Sequence, residues 1–199
     1  MKKVHIVALA GPKGEGKSTI AGEITQIVGE QNVARLSFAN VLKNSLASMT
    51  GIPEKYFYDP DLKNVTPQGY ECSTRDLMVG VGQLVKSLAG ANVFVNTMRA
   101  DIGKILDRVT TLPELLDEDF YIIIDDLRFE QELEMLMGQG AKIVYINPKP
   151  YDESVEISER GLFHRYDENC DLMFLNDKTN PEDPEMIAAE IVMYMNWAE

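Results

Sequence analysis

A glycine-rich segment that joins an apolar run to an amphipathic run constrains the fold of this chain more than any other feature. The segment Gly11-Pro12-Lys13-Gly14-Glu15-Gly16-Lys17-Ser18 fits the pattern G-x-x-x-x-G-K-[ST], and Thr19 follows it. The apolar run of residues 4–10 before it predicts a buried strand. Residues 18–28 after it place their isoleucines on one helical face, and Gly29 predicts where that helix ends. A strand, a tight loop and a helix in this order predict an α/β fold.

The same segment predicts a phosphate-binding loop. Its glycines let backbone amides converge on a phosphate, and the amino end of the following helix adds favourable partial charge. In that arrangement Lys17 reaches the β- and γ-phosphates of a nucleotide, and the Ser18 hydroxyl binds Mg²⁺. We therefore predict that residues 11–19 bind ATP or GTP with Mg²⁺. A second glycine pair, Gly80 and Gly82, lies inside a helical pattern with no strand before it, so it predicts no nucleotide site.

Strands alternate with helices along the rest of the chain, which predicts a parallel sheet covered by helices on both faces. Further strands are expected at residues 33–38, 120–124, 142–146 and 171–175. Further helices are expected at residues 41–49, 73–90, 92–109, 130–137 and from 183 onwards. Residues 52–72 contain three prolines and predict a long loop with room for one short helical turn. We expect one domain spanning residues 1–199, since the chain contains no repeat or linker.

Composition and charge argue against several classes of function. The net charge of −13 disfavours non-specific binding to nucleic acid or to an anionic membrane. The two cysteines, Cys72 and Cys170, and the two histidines, His5 and His164, lack the spacing of a structural zinc site. No apolar run approaches the ~20 residues of a membrane-spanning helix, and residues 4–10 are too short for a secretion signal. We expect a cytoplasmic protein with no nucleic-acid or membrane partner.

Two carboxylates follow the most apolar of the predicted strands. Asp125 and Asp126 come directly after residues 120–124, at the edge of an open α/β sheet where ligands bind. A carboxylate in this place can hold Mg²⁺ or orient an acceptor phosphate. Because side chains alternate along a strand, we expect the two to point to opposite sides and only one to take that role. The alternative is that they cap the following helix.

Arg75 lies where a helix disfavours a cation. Ser73 and Asp76 form a capping box there, and the helix macrodipole opposes a positive charge in the first turn by roughly 0.3–1 kcal/mol. A bound anion removes that conflict, so Arg75 is a candidate for binding a substrate phosphate. Arg128 and Lys43 are placed near the same ligand edge. When each of these cations is considered alone, the default interpretation is a solvated side chain on the surface.

The order of these motifs resembles the deoxynucleoside monophosphate kinases of bacteriophages, which are P-loop kinases related to the adenylate kinase group. Besides the phosphate loop, the resemblance rests on Ser37-Phe38-Ala39 with Lys43, Lys63, Ser73-Thr74-Arg75-Asp76-Leu77, Asp126-Leu127-Arg128-Phe129, Ser158-Glu159 and the stretch from Asp171 to Asn176. It covers nearly the whole chain. It implies a three-layer P-loop kinase fold, with a parallel sheet of about five strands flanked by helices. It also implies a helical region that binds the nucleoside monophosphate over residues 40–110, and a lid over residues 148–170.

The resemblance implies transfer of the γ-phosphate of ATP to a deoxynucleoside 5′-monophosphate, with Mg²⁺, giving the diphosphate and ADP. The implied catalytic residues are Lys17, Asp126, Arg128 and Arg160, and the implied metal ligands are Ser18 and Asp126. The implied contacts of the monophosphate are Phe38, Lys43, Lys63, Arg75 and Arg128. The implied lid carries Lys149 and Arg165 together with Arg160. No general base is required, because an acceptor phosphate is already ionised at neutral pH.

Other functions remain open at this point. The sequence departs from the family pattern in three places: Leu77-Met78-Val79-Gly80-Val81-Gly82 replaces L-Q-x-x-G, and Lys86 and Glu130-Gln131 replace other residues. These departures leave open which nucleobase is accepted.

One alternative is a P-loop kinase for another phosphorylated acceptor, of the dephospho-coenzyme A or phosphomevalonate type. The other is a nucleotide-binding protein without turnover. A homodimer is also open, since apolar positions on the helices of residues 73–109 fit an interface and core packing equally well.

Overall fold

The computed structural model describes residues 3–111, 118–147, 162 and 170–197. The chain forms two compact units. The sheet unit comprises Met1–Ser37 and Met98–Glu199, and the helical unit comprises Phe38–Thr97. The predicted lid, residues 148–170, lies outside the described residues apart from Leu162 and Cys170.

Short apolar runs of the sheet unit form the strands β1 (Val4–Ala10), β2 (Val33–Leu36), β3 (Phe120–Leu127), β4 (Lys142–Ile146) and β5 (Leu172–Phe174). They pair in parallel in the order β2-β3-β1-β4-β5. The prediction of a parallel sheet of about five strands is confirmed. Because β1 lies between β3 and β4, the loop after β1 shares one edge of the sheet with the residues at the ends of those two strands.

Strand β3 carries an irregularity where the two aspartates lie. The strand runs to Leu127, three residues beyond the predicted end, so that Asp125 and Asp126 belong to it. Ala8 of β1 pairs with Ile124, whereas Ala10 pairs with Leu127. Two residues of β3 therefore stand opposite one residue of β1, which is the count of a β-bulge. The strict alternation on which the expectation for the aspartates rested does not hold at this point.

The helices are α1 (Lys17–Val28), α2 (Asn40–Thr50), α3 (Lys55–Tyr58), α4 (Thr74–Ala89), α5 (Val93–Thr111), α6 (Glu130–Gly138) and α7 (Asp183–Trp197). Helix α3 is one short helical turn within residues 52–72, where the sequence predicted a long loop with room for such a turn. The other helices begin and end within two residues of their predicted bounds. Among the described residues, no single helix is long and apolar enough to cross a membrane; α4 and α5, bent by 87° at their junction, meet the length and composition criteria only as a pair.

The core of the sheet unit is built from the alternating side chains of the central strands and one face of two helices. Val7 and Leu9 of β1 pack with Ile123 of β3, and all three are fully buried. Helices α1 and α7 cover this face of the sheet with the buried residues Ile20, Ala21, Ile24, Ile187, Ala188 and Ile191. Burying one such aliphatic side chain contributes roughly 1.5–3 kcal/mol to folding. This packing fixes the position of α1, and therefore of the loop before it.

The helical unit has a smaller core of its own. Leu46, Ala47, Ile52 and Phe57 are buried there, and partly buried side chains from α2, α3 and α4 pack around them. Helices α2 and α4 approach closely at Gly82, where an added Cβ atom would lie 3.3 Å from the Leu42 side chain.

Candidate functional site

The loop between β1 and α1 is a tight turn in which two glycines are sterically required. Gly11 has a φ angle of +139°, and an added Cβ atom would collide with the backbone oxygen of Ile146 at the end of β4. Gly16 has a φ angle of +84°, and an added Cβ atom would collide with the side-chain amide of Asn176. Both angles lie in the region that residues with side chains rarely adopt. The predicted phosphate loop is therefore folded against the ends of the neighbouring strands.

Lys17 is enclosed by this loop. The residue is 6% exposed, and its Nζ donates to the backbone oxygen of Gly11 at 2.7 Å and to that of Pro12 at 2.6 Å. The pKa of Lys17 is lowered from 10.5 to about 8, chiefly by burial and next by the charge of the nearby Arg128. The carboxylates that act in the opposite direction on this pKa are those of Asp125, Glu15 and Asp126. Lys17 thus lies within electrostatic reach of both aspartates and of Arg128.

The two aspartates at the end of β3 have different partners. Asp125 accepts a hydrogen bond from Arg35 Nη2 at 2.8 Å, and the same guanidinium nitrogen donates to the backbone oxygen of Ser18 at 3.2 Å. Asp126 accepts a hydrogen bond from the hydroxyl of Ser37 at 2.6 Å. Asp125 is therefore part of an ion pair with Arg35, and Asp126 is tied to the residue after β2 through the Ser37 hydroxyl.

The structure also identifies the residue that caps the helix after β3. The backbone amides of Arg128 and Phe129 donate to Glu132 Oε2 at 2.9 and 3.1 Å. Glu132 is buried, and its carboxylate satisfies donors at the amino end of α6, as expected for an acidic side chain in a first helical turn. This observation weighs against the alternative that Asp125 and Asp126 are present only to cap α6.

The oxygen donors at this edge fit a magnesium ion. Ser18 is exposed in the first turn of α1, and Asp126 lies on the strand next to β1. Mg²⁺ is usually bound through one or two carboxylates together with water and the phosphates of the substrate, rather than by a cage of protein ligands. In the described part of the chain, no group of three or more His, Cys, Asp and Glu side chains is arranged to hold a metal ion.

A polar cluster on the other side of the loop was not predicted from the sequence. Glu15 is 4% exposed, and its Oε2 lies 2.8 Å from Lys178 Nζ. Asn147 Nδ2 donates to the same carboxylate oxygen at 3.0 Å, and Asn176 Nδ2 donates to the backbone oxygen of Glu15 at 3.1 Å. Asn147 and Asn176 each follow an apolar strand, β4 and β5. This is the signal that drew attention to Asp125, and it could have identified them as well.

Arg35 was also missed, although it lies on a predicted strand. The strand order places β3 between β2 and β1, and the sequence alone does not give this order. The position of Arg35 on β2 therefore gave no reason to expect a contact near the loop. The pairing of Arg35 with Ile123 in the register of β2 and β3 places its guanidinium near the end of β3.

In the helical unit, Ser73 is the N-cap of α4, as predicted. The Ser73 hydroxyl accepts from the Asp76 amide at 3.2 Å and donates to the Asp76 carboxylate at 2.7 Å. The backbone amide of Arg75 donates to the backbone oxygen of Lys63 at 3.0 Å. The loop that carries Lys63 is therefore joined to the first turn of α4, and these two predicted substrate-binding residues come together.

The other two predicted substrate-binding residues of this unit lie apart from that junction in the chain. Lys43 is on α2, with its Nζ 4.6 Å from the centre of the Tyr58 ring, a cation–π distance. Phe38 is buried, with 7% of its surface exposed. Of the remaining predicted site residues, Arg160 lies outside the described residues, as do Lys149 and Arg165.

Among the comparisons with known proteins, the one with solved structures found similar chains. No protein-family model matches the sequence, and no curated protein matches it significantly. Among solved structures, the shikimate kinase from Bacteroides thetaiotaomicron is similar, with a TM-score of 0.50, 11% identity, and coverage of 96% of this chain and 98% of that one. The dephospho-CoA kinase from Campylobacter jejuni has a TM-score of 0.47 and 16% identity, covering 96% and 97%. The thymidylate kinase from Ehrlichia chaffeensis has a TM-score of 0.45 and 14% identity, covering 96% and 98%.

At such low identity the likeness concerns the fold alone. A five-stranded parallel sheet flanked by helices, with a glycine loop between β1 and α1, defines this protein as one with the P-loop kinase fold. The predicted fold class is confirmed.

Proposed function

We propose that this protein is a kinase that transfers the γ-phosphoryl group of ATP to the phosphate of a deoxynucleoside 5′-monophosphate. The observation that carries the proposal is the environment of Lys17. A buried ammonium group is enclosed in a glycine loop, at the sheet edge that also carries Arg128 and the carboxylates of Asp125 and Asp126. Cations and backbone amides gathered in this way suit a transition state with negative charge spread over a moving phosphoryl group.

The chain's own groups account for most of the chemistry. On binding ATP, the Lys17 ammonium would exchange the backbone oxygens of Gly11 and Pro12 for oxygens of the β- and γ-phosphates. Ser18 and Asp126 would hold Mg²⁺, which neutralises charge on the phosphates. The bond from the γ-phosphorus to its bridging oxygen breaks as an acceptor phosphate oxygen forms the new bond, and ADP leaves with the electron pair. The acceptor oxygen is already ionised, so no base has to remove a proton.

We assign recognition of the acceptor to the helical unit. The assignment rests on Arg75 in the first turn of α4, at the end of a helix that attracts anions, and on Lys63, whose backbone oxygen accepts from the Arg75 amide. Phe38 and Lys43 belong to the same assignment through the motif that contains them. In the sheet unit, we assign Arg128 to the phosphoryl group in transfer, because its charge acts on Lys17. The choice of a deoxynucleotide rests on the order of motifs along the chain.

The experiment that tests the proposal is an ADP-release assay with ATP and Mg²⁺. The acceptors would be deoxy- and ribonucleoside monophosphates, together with dephospho-coenzyme A and phosphomevalonate. We expect turnover with one or more deoxynucleoside monophosphates, and its loss by several orders of magnitude in the Lys17→Met variant. Turnover with only one of the other acceptors would replace the substrate class. ATP binding without turnover on any acceptor would favour a non-catalytic role.

A further inference from the structure

A carboxylate inside a phosphate-binding loop is electrostatically out of place. Glu15 is one residue from Gly16 and two from Lys17, and its side chain is almost completely buried. Burial is the largest influence on the pKa of Lys17 and lowers it, whereas the negative charge of Glu15 raises it. The Glu15 carboxylate therefore acts electrostatically on the lysine inside the loop. An uncompensated carboxylate here would repel a bound triphosphate. Lys178, whose Nζ lies 2.8 Å from Glu15 Oε2, supplies the compensating charge from the segment after β5.

Two asparagines hold this ion pair in place. Asn147 donates from Nδ2 to Glu15 Oε2 at 3.0 Å and to the backbone oxygen of Asn176 at 2.9 Å, and its Oδ1 accepts from the Asn176 amide at 2.7 Å. Asn176 in turn donates to the Glu15 backbone oxygen at 3.1 Å. The asparagine side chains thus tie the ends of β4 and β5 to each other and to the phosphate loop.

The arrangement has features that folding stability does not favour. Asn147 adopts a φ angle of +45°, which is uncommon for any residue except glycine, although asparagine tolerates it best. Asn176 Oδ1 is buried and has no hydrogen-bond partner among the described residues, which leaves its desolvation uncompensated. The Asn176 amide nitrogen occupies the space that a side chain at position 16 would fill. A structure with these costs is expected where the shape of the loop matters for function.

We propose that Glu15, Asn147, Asn176 and Lys178 form a brace that fixes the shape of the phosphate loop and cancels the charge of Glu15. These are positioning residues, and they set the affinity for the phosphate chain of the nucleotide. The inference rests on the proposed function, since it assumes that the loop binds a nucleotide.

Calorimetric binding of Mg²⁺-ADP and of inorganic tripolyphosphate tests the brace without relying on turnover. Lys178→Met removes the positive charge that lies 2.8 Å from Glu15 Oε2, so both probes should bind about tenfold more weakly. Glu15→Gln removes the negative charge and should bind both probes at least as tightly as the wild type. The double variant should return to within about threefold of the wild type, because the two charges of the ion pair are removed together. A merely structural role would instead weaken binding in both single variants.

Two control variants test whether the charge at position 178 is what matters. Lys178→Arg keeps the charge and should bind like the wild type. Lys142 forms another ion pair of the sheet unit, with its Nζ 3.0 Å from Asp171 Oδ1, at the opposite end of β4 from Asn147. Lys142→Met should therefore leave the affinities for both probes unchanged. Unchanged tripolyphosphate binding in Lys178→Met, or no recovery in the double variant, would overturn the brace alone. If the wild-type protein binds neither probe, the proposed function fails and the brace with it.

Discussion

Arg35 Nη2 donates to Asp125 Oδ2 at 2.8 Å and joins the end of β2 to the end of β3. The same nitrogen reaches the backbone oxygen of Ser18 in the first turn of α1. One guanidinium therefore links three elements around the phosphate loop and neutralises one of the two adjacent aspartates. Asp126 accepts from the Ser37 hydroxyl, and its carboxylate is of the ligand type that Mg²⁺ takes.

The ion pair of Asp125 with Arg35, together with the proposed role of Asp126 in holding Mg²⁺, predicts the order of effects at the two aspartates. Asp126→Asn should reduce turnover by about 10²-fold or more and raise the Mg²⁺ concentration required for half-maximal activity, because it removes the carboxylate proposed to hold Mg²⁺. Asp125→Asn should act more mildly and leave the Mg²⁺ requirement nearly unchanged. Magnesium titrations of the ADP-release rate measure both effects. If Asp125→Asn shifts the Mg²⁺ requirement and Asp126→Asn does not, their roles are exchanged.

The lowered pKa of Lys17 predicts a pH dependence of nucleotide binding. The pKa is about 8 in the free protein, with burial as the main cause, and a bound polyanion must raise it. Below about pH 8 the free protein already carries the proton. Above this value binding must take up a proton, so affinity for Mg²⁺-ADP should fall as the pH rises, by up to about tenfold per pH unit.

Calorimetry at about pH 8.5 in two buffers of different ionisation enthalpy measures that proton uptake directly. In the wild-type protein the apparent binding enthalpy should differ between the buffers. The Lys17→Met variant, which has no proton to gain at this position, should show the residual uptake of the nucleotide alone. Equal proton uptake in both proteins would show that Lys17 does not titrate on binding.

Arg75 provides a test of the acceptor site. Arg75→Ala should raise the KM for the monophosphate acceptor by about tenfold or more, with a smaller effect on the KM for ATP, because it removes a charged hydrogen-bond donor to phosphate. Arg108→Ala on α5 removes an exposed helical arginine and serves as the matched control. Steady-state kinetics with each substrate varied in turn separate the two constants. An unchanged KM for the acceptor would remove Arg75 from the site.

Two glycine substitutions test the geometry of the loop through stability alone. Gly11→Ala should lower the free energy of unfolding by about 2–4 kcal/mol, because its Cβ atom meets the Ile146 backbone oxygen at a positive φ angle. Gly22 lies within α1 with no atom within 4 Å of an added Cβ. Gly22→Ala should therefore raise the free energy of unfolding by roughly 0.5–1 kcal/mol. Urea denaturation measures both changes, and a neutral Gly11→Ala would contradict the close approach to β4.

Local sequence signals were sufficient for β1, the phosphate loop and α1. An apolar run, a spaced glycine pattern and a one-face apolar helix all lie within residues 4–28, so the prediction needed no information from distant parts of the chain. The cap at Ser73 was predictable for the same reason. In contrast, the bulge at Asp125 and Asp126 depends on the register between β3 and β1, which no local pattern specifies.

The contacts that were missed join residues far apart in the sequence. Glu15 and Asn147 are 132 positions apart, and Arg35 and Asp125 are 90 apart.

Helical periodicity was an incomplete guide to which residues of α4 are buried. Leu77 and Val81 pack on the core of the helical unit, whereas Leu84 and Leu88, which continue the same helical spacing, are 56% and 80% exposed. The spacing identified the helix but not how far along its length the neighbouring helices would cover it.

The central claim, phosphoryl transfer from ATP to a monophosphate acceptor, is tested most directly by following both products at once. Chromatography of a reaction containing ATP, Mg²⁺ and a deoxynucleoside monophosphate measures ADP and the deoxynucleoside diphosphate together. We predict equal amounts of the two products, no ADP above background when the acceptor is omitted, and neither product with Lys17→Met. ADP that forms at the same rate without an acceptor, or the absence of diphosphate with every deoxynucleotide tested, would contradict the claim.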